Sequence, residues 1–449
     1  MTGRRISLYR KGIERKSGEG FRCSICTGCG RCPGIRSKGR DSGIRIITQN
    51  LIGERGKVPE CPGIRLAAAD IGTTTVAMEL FGRDASPADR YVQVNPQRKF
   101  GTDVLSRIEA GRDPEQFAEM NRSIRSALTS GAERFLKSLD PEEQLLIVIA
   151  ANTTMSYFWM GWDPEELGQA PFRASHLSGG ITSLTVNTEG GEKKVLCLLL
   201  PGFSAFVGSD IWAGIQAGEI QKREKITLLI DLGTNGEIAL GNRERLITCA
   251  TAAGPAFEGG ATSGIWGADL IKFTAELLKR GILDETGLLA EPYFEQGIRV
   301  GNVLMTQEAV RSLQCAKAAI AAGISILLRE YGILPKEVDE VILAGGFGYF
   351  LNPEDAEAIG LLPGNLSART IAGGNTALYG AGKSGIALLE ALARRRNGEL
   401  TEEELMEVWE PEEKCFEEFR TYVKVLNLAE QPGFRELYVD YMALKPWNL

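Results

Sequence analysis

Two short segments repeat an acid, a glycine and a set of hydroxyls in the same order. Asp70-Ile71-Gly72-Thr73-Thr74-Thr75 returns 161 residues later as Asp231-Leu232-Gly233-Thr234-Asn235-Gly236. Each copy follows an apolar run, Leu66–Ala69 or Ile226–Ile230, and leads into another, Val76–Phe81 or Glu237–Leu240. The pattern predicts strand–turn–strand units. Such a turn suits phosphate: glycine lets backbone N–H groups approach the oxygens, and the hydroxyls add donors. The acid supplies charge for Mg²⁺ through bound water, because Mg²⁺ dehydrates reluctantly. One copy alone could be an acid capping its own turn. Two copies in matching settings favour a nucleotide clamped from both sides.

The second chemical signal is a run of cysteines. Five of the nine lie near the N-terminus, as Cys23-x2-Cys26-x2-Cys29-x2-Cys32-Pro33 and then Cys61-Pro62. Such crowding without a secretory signal favours a metal over disulfides. Zinc sites usually place a longer loop between cysteine pairs. The run resembles the bacterial ferredoxin pattern, one residue short before its last cysteine, and so favours a [4Fe–4S] centre. That resemblance leaves two ligand sets open. Cys23, Cys26 and Cys29 pair with Cys61, or all four of Cys23, Cys26, Cys29 and Cys32 hold the cluster. Cys197, Cys249, Cys315 and Cys415 read as buried structural thiols.

Around these groups the chain must supply lobes. At 449 residues and 43% hydrophobic, it can bury two or three cores. It has no uninterrupted apolar run of membrane-spanning length and no apolar segment behind its N-terminal basic residues, so the expectation is a cytosolic protein without a membrane partner. The single histidine, His176, is expected to pack or hydrogen-bond. Net charge is −7, but residues 1–65 hold fifteen Lys and Arg against five Asp and Glu, which leaves the remainder at −17. A basic arm ahead of an acidic body is either a solvated tail or an arm that docks on an acidic surface. The arm lacks an aromatic stacking pattern, and the body repels phosphate, so nucleic acid is not expected.

Strands alternating with helices imply an α/β protein. Helices are predicted over Asp103–Ala110, Pro114–Leu139, from Asn152 (an N-cap) onward, over Gln307–Tyr331, Asn375–Arg396 and Glu399–Glu418. Strands are predicted at Gln144–Ala151 and Glu340–Leu343. The divisions are 1–64, a basic cysteine-rich iron–sulfur segment; 65–222, a first lobe; 223–370, a second lobe; and 371–449, a hinge helix returning to the first lobe with a helical tail.

The two Asp-x-Gly-Thr turns, with the strand end Ala344-Gly345-Gly346-Phe347-Gly348, resemble the actin-like ATPase superfamily. The resemblance implies two ribonuclease-H-like lobes. It makes Asp70–Thr75 and Asp231–Gly236 the phosphate loops, Gly345 and Gly346 the adenosine turn, and Gly208–Gly214 and Gly374–Ala381 the hinge helices. Further stretches resemble the reductive activators of corrinoid enzymes. They are Asn95-Pro96-Gln97, Gly101-Thr102-Asp103, Asn152–Met155, Leu200-Pro201-Gly202, Ala252–Gly259 and Asn352-Pro353-Glu354. That likeness implies an ATPase coupled to electron transfer, reducing a Co(II) corrinoid to Co(I) in a partner protein, with ferredoxin or flavodoxin as donor. In this reading Asp70 and Asp231 hold Mg²⁺-bound waters, while Gly72, Thr73, Thr74, Gly233, Thr234 and Asn235 contact phosphate. Gly254, Glu258, Gly345, Gly346 and Phe347 complete the ATP site. Asp210 orients the attacking water or, as the plainer alternative, caps its helix. The N-terminus departs from the family, many of whose members carry a plant-type [2Fe–2S] ferredoxin domain there. Two other functions share the fold: reductive activation of another low-potential iron–sulfur enzyme, of acyl-CoA dehydratase or double-cubane type, and a small-molecule kinase with structural zinc. Monomer and homodimer are both open.

Overall fold

The strand β1 (Ile64–Ile71) alternates its side chains between two apolar surroundings. Leu66 and Ala68 join one core, while Ala67, Ala69 and Ile71 join another. A strand buried on both faces reads as a continuous apolar run, which is why the sequence shows it so plainly. The computed structural model describes residues 58–59, 61, 63–233, 235–254, 256, 267–300, 303–348, 350–394 and 400–447.

The first half contains β1, β2 (Thr75–Phe81), β3 (Pro87–Val94), α1 (Val104–Ala110), α2 (Pro114–Leu136), β4 (Gln144–Ala151), α3 (Thr153–Met160), β5 (Gly180–Thr188), β6 (Gly191–Leu199) and α4 (Ser209–Gly218). The second contains β7 (Thr227–Leu232), β8 (Gly236–Gly241), β9 (Leu246–Thr251), α5 (Gly267–Lys279), α6 (Tyr293–Gln296), β10 (Ile298–Val300), β11 (Val303–Met305) and α7 (Gln307–Tyr331). It continues through β12 (Glu340–Ala344), α8 (Gly345–Gly348), α9 (Pro353–Ala358) and β13 (Thr370–Gly374). The chain then runs through α10 (Thr376–Ala393), α11 (Glu402–Tyr422), β14 (Val423–Leu426) and α12 (Phe434–Asp440).

The two six-stranded sheets share one plan. Their orders are β3-β2-β1-β4-β6-β5 and β13-β12-β7-β8-β9-β14. In each, three successive strands pair antiparallel (β1, β2, β3 and β7, β8, β9) and two later strands add in parallel (β4, β6 and β12, β13). Each parallel series then feeds a helix, α4 after β6 and α10 after β13. Those two helices lie between the sheets in a core that takes Leu66, Ala68 and Val148 from one side and Leu229, Ala239 and Ile342 from the other. Helix α2 covers the far face of the first sheet, and α7 that of the second. The helices α4 and α10 meet backbone to backbone: a Cβ on Gly380 would lie 1.8 Å from the Ala213 carbonyl oxygen.

Helix α7 has the length and hydropathy of a membrane-crossing helix, the one such case among the described residues. Its apolar face instead fills the second core, from Val310 through Ile320 to Leu327, and each such fully buried side chain contributes about 2 kcal/mol. The C-terminal part is not all helical. Strand β14 adds in parallel to the outer edge of β9, while α11 packs through Leu405, Val408, Trp409 and Phe416 into the core around α4 and α10.

Two expectations are corrected. Cys197 and Cys249 are buried, but Cys315 and Cys415 are exposed, because they lie on the outward faces of α7 and α11. Asp210 is not a helix cap: Gly208 holds that position, and Asp210 falls in the first turn. His176 is exposed and stacks on Trp162 with ring centroids 4.5 Å apart.

Candidate functional site

The first acidic turn is braced from three directions. Gly72 N–H donates to the Thr75 carbonyl at 2.9 Å and closes the turn. Asn95 Nδ2 donates to the Gly72 carbonyl at 2.8 Å, and Asn152 Nδ2 donates to Thr73 Oγ1 at 3.0 Å. The guanidinium of Arg107, fully buried on α1, donates through Nη2 to the Thr73 carbonyl at 2.5 Å and through Nε to Gly101 at 3.0 Å. Asp103 positions that helix by capping it: its carboxylate accepts from Ser106 N–H at 2.9 Å. The stretches 95–97, 101–103 and 152–155 therefore converge beneath one loop. Asn152 also caps α3, accepting from Met155 N–H at 3.0 Å.

The second turn repeats the closure, with Gly233 N–H donating to the Asn235 carbonyl at 3.0 Å. Asp231 and Glu237 face each other in the register between β7 and β8. Gly345 follows β12 with φ of +82°, and a Cβ there would lie 2.4 Å from Asp231 Oδ1 and 2.6 Å from the Leu232 carbonyl. Only glycine holds that position without strain or collision. The double-glycine turn is thus seated directly on the second acidic turn. Gly346 is exposed beside it, and Gly254 takes φ of +74° with open space around its Cα.

Four carboxylates gather between the lobes. Asp70, Asp210 and Asp231 are half-buried, and Glu237 is buried. Burial pushes Asp70 up to about 7, against a hydrogen bond from Asn375 and with a further push from Asp210. Asn375 Nδ2 donates to Asp70 Oδ2 at 2.7 Å and ties the start of α10 to the first turn, 305 residues away. Burial raises Asp210 to about 6, opposed by the Ile211 N–H that its carboxylate accepts at 2.8 Å. Burial, then Asp210 and Asp70, raise Asp231 to about 8. Glu237 is held well above the usual range by burial and by Asp210 and Asp231. Acids drawn from both lobes therefore act on one another, as expected of a site whose natural occupant brings positive charge.

Of the residues singled out in the sequence, the structure brings together Asp70, Gly72, Thr73, Asp210, Asp231, Gly233 and Gly345. Cys23, Cys26, Cys29, Cys32, Thr234 and Glu258 lie outside the described residues, as does the side chain of Phe347. Cys61 is described and is 6% exposed, within the apolar cluster that includes Ile64, Leu400 and Leu405. Three residues were missed. Glu237 had a signal, an acid set in an otherwise apolar strand. Asn375 was legible as a helix start but not as a partner of Asp70. Arg107 looked like any polar residue on an amphipathic helix.

Paired sheets of one plan, with the acids of two acid-glycine turns brought within each other's field and a glycine turn after β12, define a two-lobed protein of actin-like ATPase fold. A family model described as the RACo middle region matches residues 66–223, and one described as the C-terminal domain of RACo, the ASKHA domain, matches 225–263 and 261–408. The chain belongs to this RACo family. It is 30% identical over 339 residues to the corrinoid activation enzyme RamQ of Eubacterium limosum, a match covering 61% of this chain and 56% of the relative. It is 24% identical over 231 residues to the Co(II) methylated amine-specific corrinoid protein reductase of Methanosarcina barkeri, covering 40% and 42%. A solved structure of a reductive activator for a corrinoid, iron–sulfur protein superposes with a TM-score of 0.69 at 27% identity, covering 86% of this chain and 67% of that one. The chain spans about half the length of the curated relatives it matches.

Proposed function

We propose that this protein is an ATP-dependent reductive activator that delivers one electron to a Co(II) corrinoid carried by a partner protein, yielding Co(I). The observation that carries the reading is the pair of facing acid-Gly turns with Gly345 seated against Asp231. Membership of the family, and relatives named for corrinoid activation and reduction, support the acceptor.

The residues present fit Mg-ATP. Gly72, Thr73 and Thr74 on one side, and Gly233, Thr234 and Asn235 on the other, would donate to phosphate oxygens. Gly345, whose missing Cβ lets the end of β12 seat against Asp231 and Leu232, would present backbone to the nucleoside beside Gly346 and Phe347. Gly254 and Glu258 would complete that side. Asp70 and Asp231 would hold Mg²⁺ through water, and the cation's charge would lower the proton affinity that burial, and then the neighbouring acids, raise. Asp210, in the first turn of α4, would accept a hydrogen bond from the attacking water. Arg107 and Asn95 keep the first loop in place while the lobes close and open, motions that set partner affinity through the nucleotide.

For the redox centre, the apolar burial of Cys61 suits a packed thiol better than a cluster ligand. We therefore assign the cluster to Cys23, Cys26, Cys29 and Cys32. A cluster held by four thiolates supplies a one-electron carrier, recharged by a ferredoxin or flavodoxin. The test is anaerobic: protein, reductant and a Co(II) corrinoid protein are mixed with and without Mg-ATP while the Co(I) absorbance is followed. Co(I) formation that depends on ATP and is lost in Asp231→Ala is the expected result. Equal rates without ATP, or no Co(I) with any corrinoid protein, would overturn the proposal.

A further inference from the structure

Helix α11 has a sharply divided surface. Its inward side buries Leu405, Val408, Trp409 and Phe416, with the Phe416 ring 5.1 Å from Trp212 of α4 and 5.4 Å from Phe203. Residues 402–422 carry nine Glu against only Lys414 and Arg420. Some of these acids are used: Glu402 pairs with Lys194 at 2.8 Å, Glu417 pairs with Arg420 at 2.5 Å, and Glu404 caps the helix start. Glu403, Glu407, Glu410, Glu412 and Glu418 are exposed, and among the described residues none forms an ion pair. Their field is felt locally. Burial, then Glu417 and Glu410, hold the Glu413 carboxyl above its ordinary range. Met406 and Tyr422 add exposed apolar surface on the same helix.

The opposite charge enters the lobe next door. Residues 1–57 hold fourteen Lys and Arg against four Asp and Glu. They join the lobe at Val58, which packs on the cluster that holds Cys61, Leu400, Leu405 and Val408. Gln144 fixes the two segments side by side. Its N–H donates to the Gly63 carbonyl at 2.8 Å, while its side chain donates to the Leu400 carbonyl at 3.3 Å and accepts from Leu400 N–H at 2.7 Å. The start of α11 thus lies beside the point where the basic segment arrives. A helix of this length runs for about 32 Å, which roughly ten residues of extended chain cover.

We infer that residues 1–57 dock along the acidic face of α11 in their own chain. Charge complementarity, proximity of the attachment point and sufficient length all point to this occupant over a second copy or a foreign protein. The docking stands independently of the ATP-dependent reading. Where that reading holds, docking sets the cysteine run against a helix that packs on α4 of the first lobe and continues into β14 of the second sheet.

The test uses the full chain. Zero-length carbodiimide cross-linking is applied to a mixture of unlabelled and ¹⁵N-labelled protein and read by mass spectrometry. Links from Lys11, Lys16, Lys38 or Lys57 to Glu403, Glu407 or Glu410 are expected within one isotope class. The triple variant E403K/E407K/E410K should lose them. It should also speed tryptic cleavage after Arg31, Arg36 and Arg40 at low salt by about tenfold, the factor expected when several surface ion pairs are lost together. Adding K11E/R15E/K16E should restore protection, and circular dichroism controls for folding. Mixed-isotope links would assign the face to a second copy. Links to another surface or none at all in the wild type, or cleavage unchanged by charge reversal, would equally overturn the inference.

Discussion

Replacing Asp231 by Asn should stabilise the nucleotide-free protein while removing its response to Mg-ATP. The carboxyl sits at about 8 in the folded chain against a reference near 3.8, raised by burial and then by Asp210 and Asp70. The folded state therefore binds more protons than the unfolded state across the window from about 4 to 8. By linkage, stability is fully present below the unfolded value and is lost as pH rises through the folded one. Each unit is about 1.4 kcal/mol, so the full shift would amount to about 6 kcal/mol. The carboxyl is only half-buried and shares its field with three other acids, so about half of this, about 3 kcal/mol, is expected at about pH 8. Asn keeps the shape and removes the charge. Its thermal midpoint should exceed wild type by roughly 3 °C at about pH 8, and the gain should shrink steadily toward pH 4. Scanning calorimetry across that range, with and without Mg-ATP, measures both limbs. Wild type should rise with Mg-ATP most strongly at the alkaline end, and the variant should not respond. An Asn variant no more stable than wild type at about pH 8, or a gain that ignores pH, would refute the idea that the site holds buried, crowded carboxyls whose charge a cation relieves.

Other outcomes follow from single contacts. Gly345→Ala forces a side chain onto Asp231 and into a left-handed backbone, which alone costs about 1 kcal/mol, so ATP binding measured by calorimetric titration should be lost while the fold persists by circular dichroism. Arg107→Met removes the charged donor to the Thr73 carbonyl and should weaken ATP by about tenfold, near 1.4 kcal/mol, with the redox spectrum unchanged. Cys61→Ser should keep its iron content and visible absorbance, whereas Cys32→Ser should lose both; the reverse result would return Cys61 to the ligand set.

Where burial was symmetrical, the sequence spoke clearly. Strand Gln144–Ala151 and helix Gln307–Tyr331 are found at their predicted bounds, because one is apolar on both faces and the other keeps an unbroken helical stripe. The edge strands were harder. Residues 87–94 and 180–188 carry mixed polar side chains at a rim, and the four residues of β14 directly follow the charged α11. The acidic turns were legible because both copies keep acid, glycine and hydroxyl in order. Their braces were not: Arg107, Asn375 and Glu237 matter through contacts that only the closed topology creates. The expectation of four buried cysteines failed for Cys315 and Cys415 because a thiol carries no mark of which helix face it occupies.

Strand β14 bears on how the protein can be shortened. Its four residues are what shields the outer rim of β9, pairing Val423 with Leu246 through Leu426 with Cys249. A truncation ending before residue 400 would strip that shield and leave an apolar strand with unmet hydrogen bonds, a template for another copy to add to. A shortened chain meant to keep both lobes intact should therefore retain β14 and the segment after it, since removing this acidic tail would trade solubility for self-association.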